Sequence, residues 1–121
     1  MGMTIAEKIL ARASGRREVE AGEVVLAESD LIVLIDVVFD ENLELLEAIG
    51  KRDIRRPENI IFVIDHCIPP TSTRWAETHR KIRKWTSDNK IRLFDYGTHG
   101  ISHQLPVEQH QFFLYKSFYY L

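Results

Sequence analysis

Apolar positions recur along this chain in two rhythms, and the switches between them lay out its elements. Ile5, Ile9, Leu10 and Ala13 fall at helical spacing. Thr4 and Glu7 form a capping box before them, each side chain able to satisfy a free backbone amide, and Gly15 is the natural stop. This helix is expected to pack its stripe on the next segment of the chain. Glu23 to Ala27 and Leu31 to Val38 read as two strands around the polar turn Glu28-Ser29-Asp30. The second is almost wholly apolar, as in a strand covered on both faces, and Asp36 interrupts it. Asp40 and Glu41 then place negative charge where it favours the start of a helix. That helix runs to about Gly50, with Leu43, Leu46, Ala48 and Ile49 facing inward. A charged loop from Lys51 to Asn59 leads into a buried strand, Ile60 to Ile64. Pro69-Pro70 forbids an immediate helix, while Thr71, Ser72 and Thr73 offer caps for one spanning about 73 to 89. Trp75, Ile82 and Trp85 mark its buried stripe. Leu93 and Phe94 begin a short strand, and a turn from Tyr96 to His103 contains two glycines.

Strand, helix, strand, helix, strand with short connections predicts an α/β fold: one domain over residues 1–121, a mainly parallel sheet, and helices packed on its faces. In such sheets ligand-binding groups gather beyond the carboxyl ends of the strands. Asp36, the pair Asp65-His66 and the loop from Asp95 to His103 all follow apolar strands.

Composition narrows the classes without choosing one. A net charge of -2 gives no basic field to recruit nucleic acid. No apolar run reaches the roughly 18 residues of a membrane span. The start lacks a basic region followed by an apolar core, so no secretory signal is expected. A single cysteine, Cys67, excludes an internal disulfide, which fits a reducing cytoplasm.

Asp65-His66 is the sharpest chemical feature. A carboxylate beside an imidazole can hold the ring in one tautomer and orientation, making a usable general acid or base. The plainer alternative is that Asp65 caps a turn and His66 packs. His103 follows Gly100-Ile101-Ser102, where a glycine lets backbone approach a ligand closely. Asp36 and Gln104 are candidate substrate contacts at the same strand ends. His99 and His103 are spaced as metal ligands would be on a helix, but Gly100 between them argues against one, and no metal ligand is assigned. One thiol cannot hold an iron-sulfur cluster, so Cys67 reads as a small buried hydrophobe. The run Arg80-Lys81-Ile82-Arg83-Lys84 reads as a solvated helix face. Phosphate-binding and dinucleotide fingerprints and a nucleophile elbow are all missing.

Taken together, Met3 to Leu10, Ala13-Ser14-Gly15, the segment VVLAESDLIVLID, the helix from Leu43 to Gly50, IIFVIDHCIPP and Gly100-Ile101-Ser102-His103-Gln104 resemble the aconitase superfamily. They most resemble the start of the large subunit in its 3-isopropylmalate dehydratase and homoaconitase branch. The resemblance spans roughly residues 3 to 109. It implies dehydration and rehydration of a hydroxy-acid, with a [4Fe-4S] cluster as Lewis acid in the full-length enzyme and no cofactor in this chain. Asp65-His66 would help protonate the departing hydroxyl, and His103 would be a second active-site histidine. The family's Asp-Ser-His motif, its three cluster cysteines, its substrate-binding arginines and its catalytic serine have no counterpart here. The chain is therefore expected to be an N-terminal piece, active only with a complementing subunit or kept as a non-catalytic binding module. Val38 and Glu41 stand where the family usually has Thr and a substrate-contacting Gln. The aromatic tail, Phe112 to Leu121, would be an open strand edge. It suggests a homo-oligomer or a second polypeptide as partner, alongside a small hydroxy-carboxylate.

Overall fold

The computed structural model describes residues 2–50, 53–97 and 100–109. The aromatic tail, Lys51, Arg52, Thr98 and His99 lie outside the described residues. Two compact units divide the chain after Asp30.

The first unit holds α1 (Ile5–Ala13). Its capping box forms as expected: the Thr4 hydroxyl accepts the Glu7 N–H, and the Glu7 carboxylate accepts the Thr4 N–H at 2.6 Å. At the other end Gly15 has φ +68°, and the N–H groups of Gly15 and Arg16 turn back to the Arg12 and Ala11 carbonyls. That left-handed cap satisfies carbonyls the helix would otherwise leave open. The expected burial of the apolar stripe is not observed, since Ile5, Ile9 and Leu10 are exposed and Ala11 is the buried helical residue. The expected strand from Glu23 to Ala27 is also absent. This segment pairs with no strand among the described residues, and Val24 and Leu26 are more than nine-tenths exposed. Alternation of apolar side chains favours a strand only where another backbone completes the ladder.

The second unit carries the α/β plan. Three parallel strands, β1 (Ile32–Ile35), β2 (Ile60–Val63) and β3 (Arg92–Phe94), lie in the order β1-β2-β3. Ile32 to Ile35 are paired with Ile60 to Val63, and Ile61 to Val63 with Arg92 to Phe94. The connecting helices are α2 (Phe39–Ala48) and α3 (Thr73–Asp88). Successive crossovers that step the same way across a sheet, with the usual hand, put their helices on one face. Phe39 of α2 and Ile82 of α3 accordingly meet Phe62, Ile64 and Ile91, with Leu34, Leu43, Trp85 and Leu93 packed against them. Phe39, Phe62 and Trp85 contact one another edge to face, with ring centroids 5.6 to 6.5 Å apart. On the opposite face Ile61, Val63 and Phe94 pack with Leu105 of the short helix α4 (Leu105–Gln109).

Three local expectations are corrected here. The apolar run after Leu31 leaves the strand at Asp36, and Asp36–Val38 form a 3-10 turn instead. β1 is only partly covered, with Ile32 and Val33 exposed. On α2 the inward residues are Phe39 and Leu43, whereas Leu46 and Ile49 are exposed. Gly50 caps α2 at φ +67°, as expected. Ser72 caps α3 by accepting the Trp75 N–H, and Lys90 takes the left-handed position at its end with φ 57°.

Candidate functional site

Parallel strands all end on one side of the sheet, and that side collects the polar residues. Asp36 follows β1, Asp65 and His66 follow β2, and Asp95 follows β3. The loop before α4 brings Ser102 to the same place.

Asp36 is fully buried. Oδ1 accepts the His66 N–H at 3.3 Å, and Oδ2 accepts the Cys67 N–H at 2.9 Å. His79, reaching in from α3, brings Nε2 to 3.3 Å from the same Oδ2. A buried carboxylate persists only when its oxygens are satisfied, and these donors satisfy them. The chain leaves the strand here because Asp36 turns inward to hold the first residues beyond β2.

Asp65 also bridges two segments. Its Oδ1 lies 2.6 Å from His66 Nδ1, and its Oδ2 accepts the Ser102 N–H at 2.6 Å. Burial pushes its carboxyl up, but the Ser102 amide, the Ser102 hydroxyl and His66 together outweigh this and hold it below the usual carboxylate range. The imidazole therefore presents Nδ1 to Asp65, with Asp36 Oδ1 3.5 Å away, and its side chain is about a third exposed. With Nδ1 engaged by carboxylate, Nε2 is the nitrogen left for a reactant.

His103 and Gln104 are exposed. His103 Nδ1 lies 3.4 Å from its neighbour's hydroxyl, Ser102 Oγ. The Ser102–Asp65 bond is thus what carries the His103 loop to the His66 side of the sheet. The Gln104 backbone starts α4, its carbonyl accepting the N–H groups of Val107 and Glu108.

Asp36, Asp65 and His66 form the one group among the described residues with three donor atoms close enough to share a cation, all within 4.8 Å. Each of those atoms already has a hydrogen-bonding partner. Cys67 is half-buried, and its thiol is pushed up, first by burial and then by the Asp36 charge. A lone thiol held protonated is poorly suited to ligate iron. These residues do not fit a [4Fe-4S] cluster by themselves.

Charge pairs brace the surroundings. Arg83 grips Asp95 through two nitrogens, with Nη2 3.0 Å from Oδ1, and lies over the Tyr96 ring. That guanidinium, against some burial, holds the Asp95 carboxyl below its usual range. The Thr78 hydroxyl donates to Asp40, which Lys81 also approaches, and the Asp40 carboxyl is likewise lowered. Every basic residue of the run from Arg80 to Lys84 is in an ion pair: Arg80 with Glu77, Lys81 with Asp40, Arg83 with Asp95 and Lys84 with Asp88. A face already paired in this way offers little to a phosphate backbone. Among the described residues no helix is long and apolar enough to cross a membrane.

Sequence reasoning missed His79. The signal was its position, one turn after Trp75 and three residues before Ile82, on the stripe that should be apolar.

No family model matches the chain. Similarity to individual proteins is extensive. A probable 3-isopropylmalate dehydratase large subunit of Methanothermobacter thermautotrophicus is 40% identical over 111 residues, which is 91% of this chain and 26% of that protein. The homoaconitase large subunit of Thermus thermophilus is 40% identical over 112 residues, 90% of this chain and 25% of its own length. The 3-isopropylmalate dehydratase large subunit of Mycolicibacterium smegmatis is 40% identical over 109 residues, 89% of this chain and 25% of its own. The chain spans about a quarter of the length of these relatives.

Proposed function

Because this chain belongs to the aconitase superfamily, as a relative of the 3-isopropylmalate dehydratase and homoaconitase large subunits, we propose that it supplies the Asp65-His66 portion of a hydro-lyase active site. The substrate is a small hydroxy-acid that loses water and regains it at the neighbouring carbon. The observation that carries this reading is the 2.6 Å contact between His66 Nδ1 and Asp65 Oδ1 at the carboxyl end of the central strand.

Asp65 holds the ring by Nδ1–H and supports its doubly protonated form, from which the outward Nε2–H gives its proton to the leaving hydroxyl, which departs as water and leaves the ring neutral with Nε2 bare. On rehydration the same nitrogen takes the proton back. His103, carried to the site by the Ser102 bond, is the second imidazole facing the reactant. Gln104 follows it as a candidate contact for a substrate carboxylate, and Asp36 acts from behind the His66 turn. An iron-sulfur cluster, if the complete reaction uses one, would supply Lewis acidity that these residues do not. Its thiolates then come from residues other than these, because the chain has only Cys67. Those thiolates would be supplied by a second polypeptide or by further sequence of the same one. The setting is the cytoplasm, where thiolate-bound clusters survive.

A second reading keeps the fold and the hydroxy-carboxylate site but not turnover: a non-catalytic binding module. It is favoured by Val38 and Glu41, which bring an apolar and an acidic side chain to the segment after β1.

Titration of the purified chain with 3-isopropylmalate, with citrate in parallel, tests both readings. Saturable NMR shifts at His66 and His103 are expected. Absence of any response at millimolar ligand would sink the hydroxy-acid site in both forms. Binding without turnover, even after a cysteine-bearing family fragment is added, would decide for the binding module.

A further inference from the structure

One fully buried imidazole, His79, has no role in the chemistry proposed above. It lies on the inner stripe of α3 with its ring beside Tyr96, the centroids 6.2 Å apart. Nε2 faces Asp36 Oδ2 at 3.3 Å, and Nδ1 is buried with no hydrogen-bonding partner among the described residues. A leucine at this position would fill the stripe without stranding a nitrogen. The histidine is therefore explained by what its other nitrogen does.

We infer that His79 is a positioning residue for the His66 imidazole and acts through the Asp36 carboxylate. This rests on the reading of His66 as the proton-donating group. The path is short. Asp36 holds the backbone N–H groups of His66 and Cys67 at 3.3 and 2.9 Å, and its Oδ1 lies 3.5 Å from His66 Nδ1. Without His79 the carboxylate would be held only by the two amides of the turn it is meant to fix, free to rotate with them. The Nε2–H donor ties it to a 16-residue helix instead. The orientation of the His66 ring is then referred to α3 on one side, through Asp36, and to Asp65 on the other. His79 contacts no reactant, so its effect is on geometry alone.

The test begins with unaltered protein free of ligand. A slowly exchanging His79 Nε2–H proton with a nuclear Overhauser contact to the Cys67 amide is expected; a ring protonated only on Nδ1 would overturn the inference. Next, His79→Phe keeps a ring but loses the donor, and His79→Gln replaces the donor with an amide. In His79→Phe the His66 ring signals should move and the ring should lose its single tautomer, while His79→Gln keeps both near wild type. A folded His79→Phe protein with unmoved His66 signals overturns the proposal, as does a His79→Gln protein that departs as far. If His79→Phe does not fold, the wild-type proton and His79→Gln still decide. These readouts need no ligand, so they stand apart from any failure of 3-isopropylmalate to bind. Where it does bind, affinity should fall about tenfold in His79→Phe and stay within about twofold in His79→Gln, the scale of one misplaced hydrogen bond.

Discussion

His66 Nδ1 lies 2.6 Å from Asp65 Oδ1, while the other oxygen of the same carboxylate takes the Ser102 N–H. One side chain at the end of β2 thus orients an imidazole and anchors a loop 37 residues further along the chain. The two tasks need the same acceptor-only group, which is why an amide of equal size is a sensitive probe.

In Asp65→Asn, one of the two sites must face an NH2 donor, so either the His66 tautomer reverses or the Ser102 amide loses its acceptor. The expected outcome is a folded protein weakened by about 1–2 kcal/mol in urea unfolding. Its His66 response to 3-isopropylmalate should be at least tenfold weaker, about the loss of one charge-assisted hydrogen bond.

Asp36→Ala should be far more damaging than its apolar neighbours suggest. It strands two part-buried backbone N–H groups and the Nε2 of the fully buried His79. A loss of about 3 kcal/mol or more is expected from chemical denaturation. Asp36→Asn, which keeps one acceptor, should recover part of it.

Acid should unfold the protein through identifiable carboxylates. Asp40, Asp65 and Asp95 are all held below the usual range. A depressed carboxyl contributes stability in full above its unfolded value, near 4, and loses it as pH falls through the folded value. The urea midpoint should therefore be flat down to about pH 5 and then drop. In Asp95→Asn, which removes the partner of Arg83, the drop should be shallower.

The core face under α2 and α3 offers a control remote from the site. Ile82 is completely buried against Phe39 and Phe62. Ile82→Ala should cost about 2–5 kcal/mol by calorimetry or denaturant. The tautomer of His66 should stay unchanged.

Much of this architecture was legible because it depends on neighbours in sequence. The capping box at Thr4 and Glu7, the left-handed glycines 15 and 50, the Ser72 cap and the three apolar strands are local signals, and each appears where the spacing put it. Asp65-His66 stood out for the same reason. What escaped depends on partners far along the chain. Val24 and Leu26 alternate like a strand but find no ladder to join among the described residues. Val33 reads as buried yet is exposed. Asp36 was visible as an interruption and a candidate substrate contact, while its bonds to the amides of residues 66 and 67 and to His79 were not. His79 itself was hidden because a polar residue on an apolar stripe has meaning only once its opposite number is known.

Every bond that builds the Asp36 cluster closes a long span of chain: 30 residues to His66, 31 to Cys67 and 43 to His79. Such closures are entropically late events, made only after the strands they join have docked. The His66 imidazole is therefore expected to reach its orientation at the end of folding, when both crossovers are complete. Amide protection at His66 and Cys67 should report that last step, and a nascent chain lacking α3 carries Asp65 and His66 without their alignment.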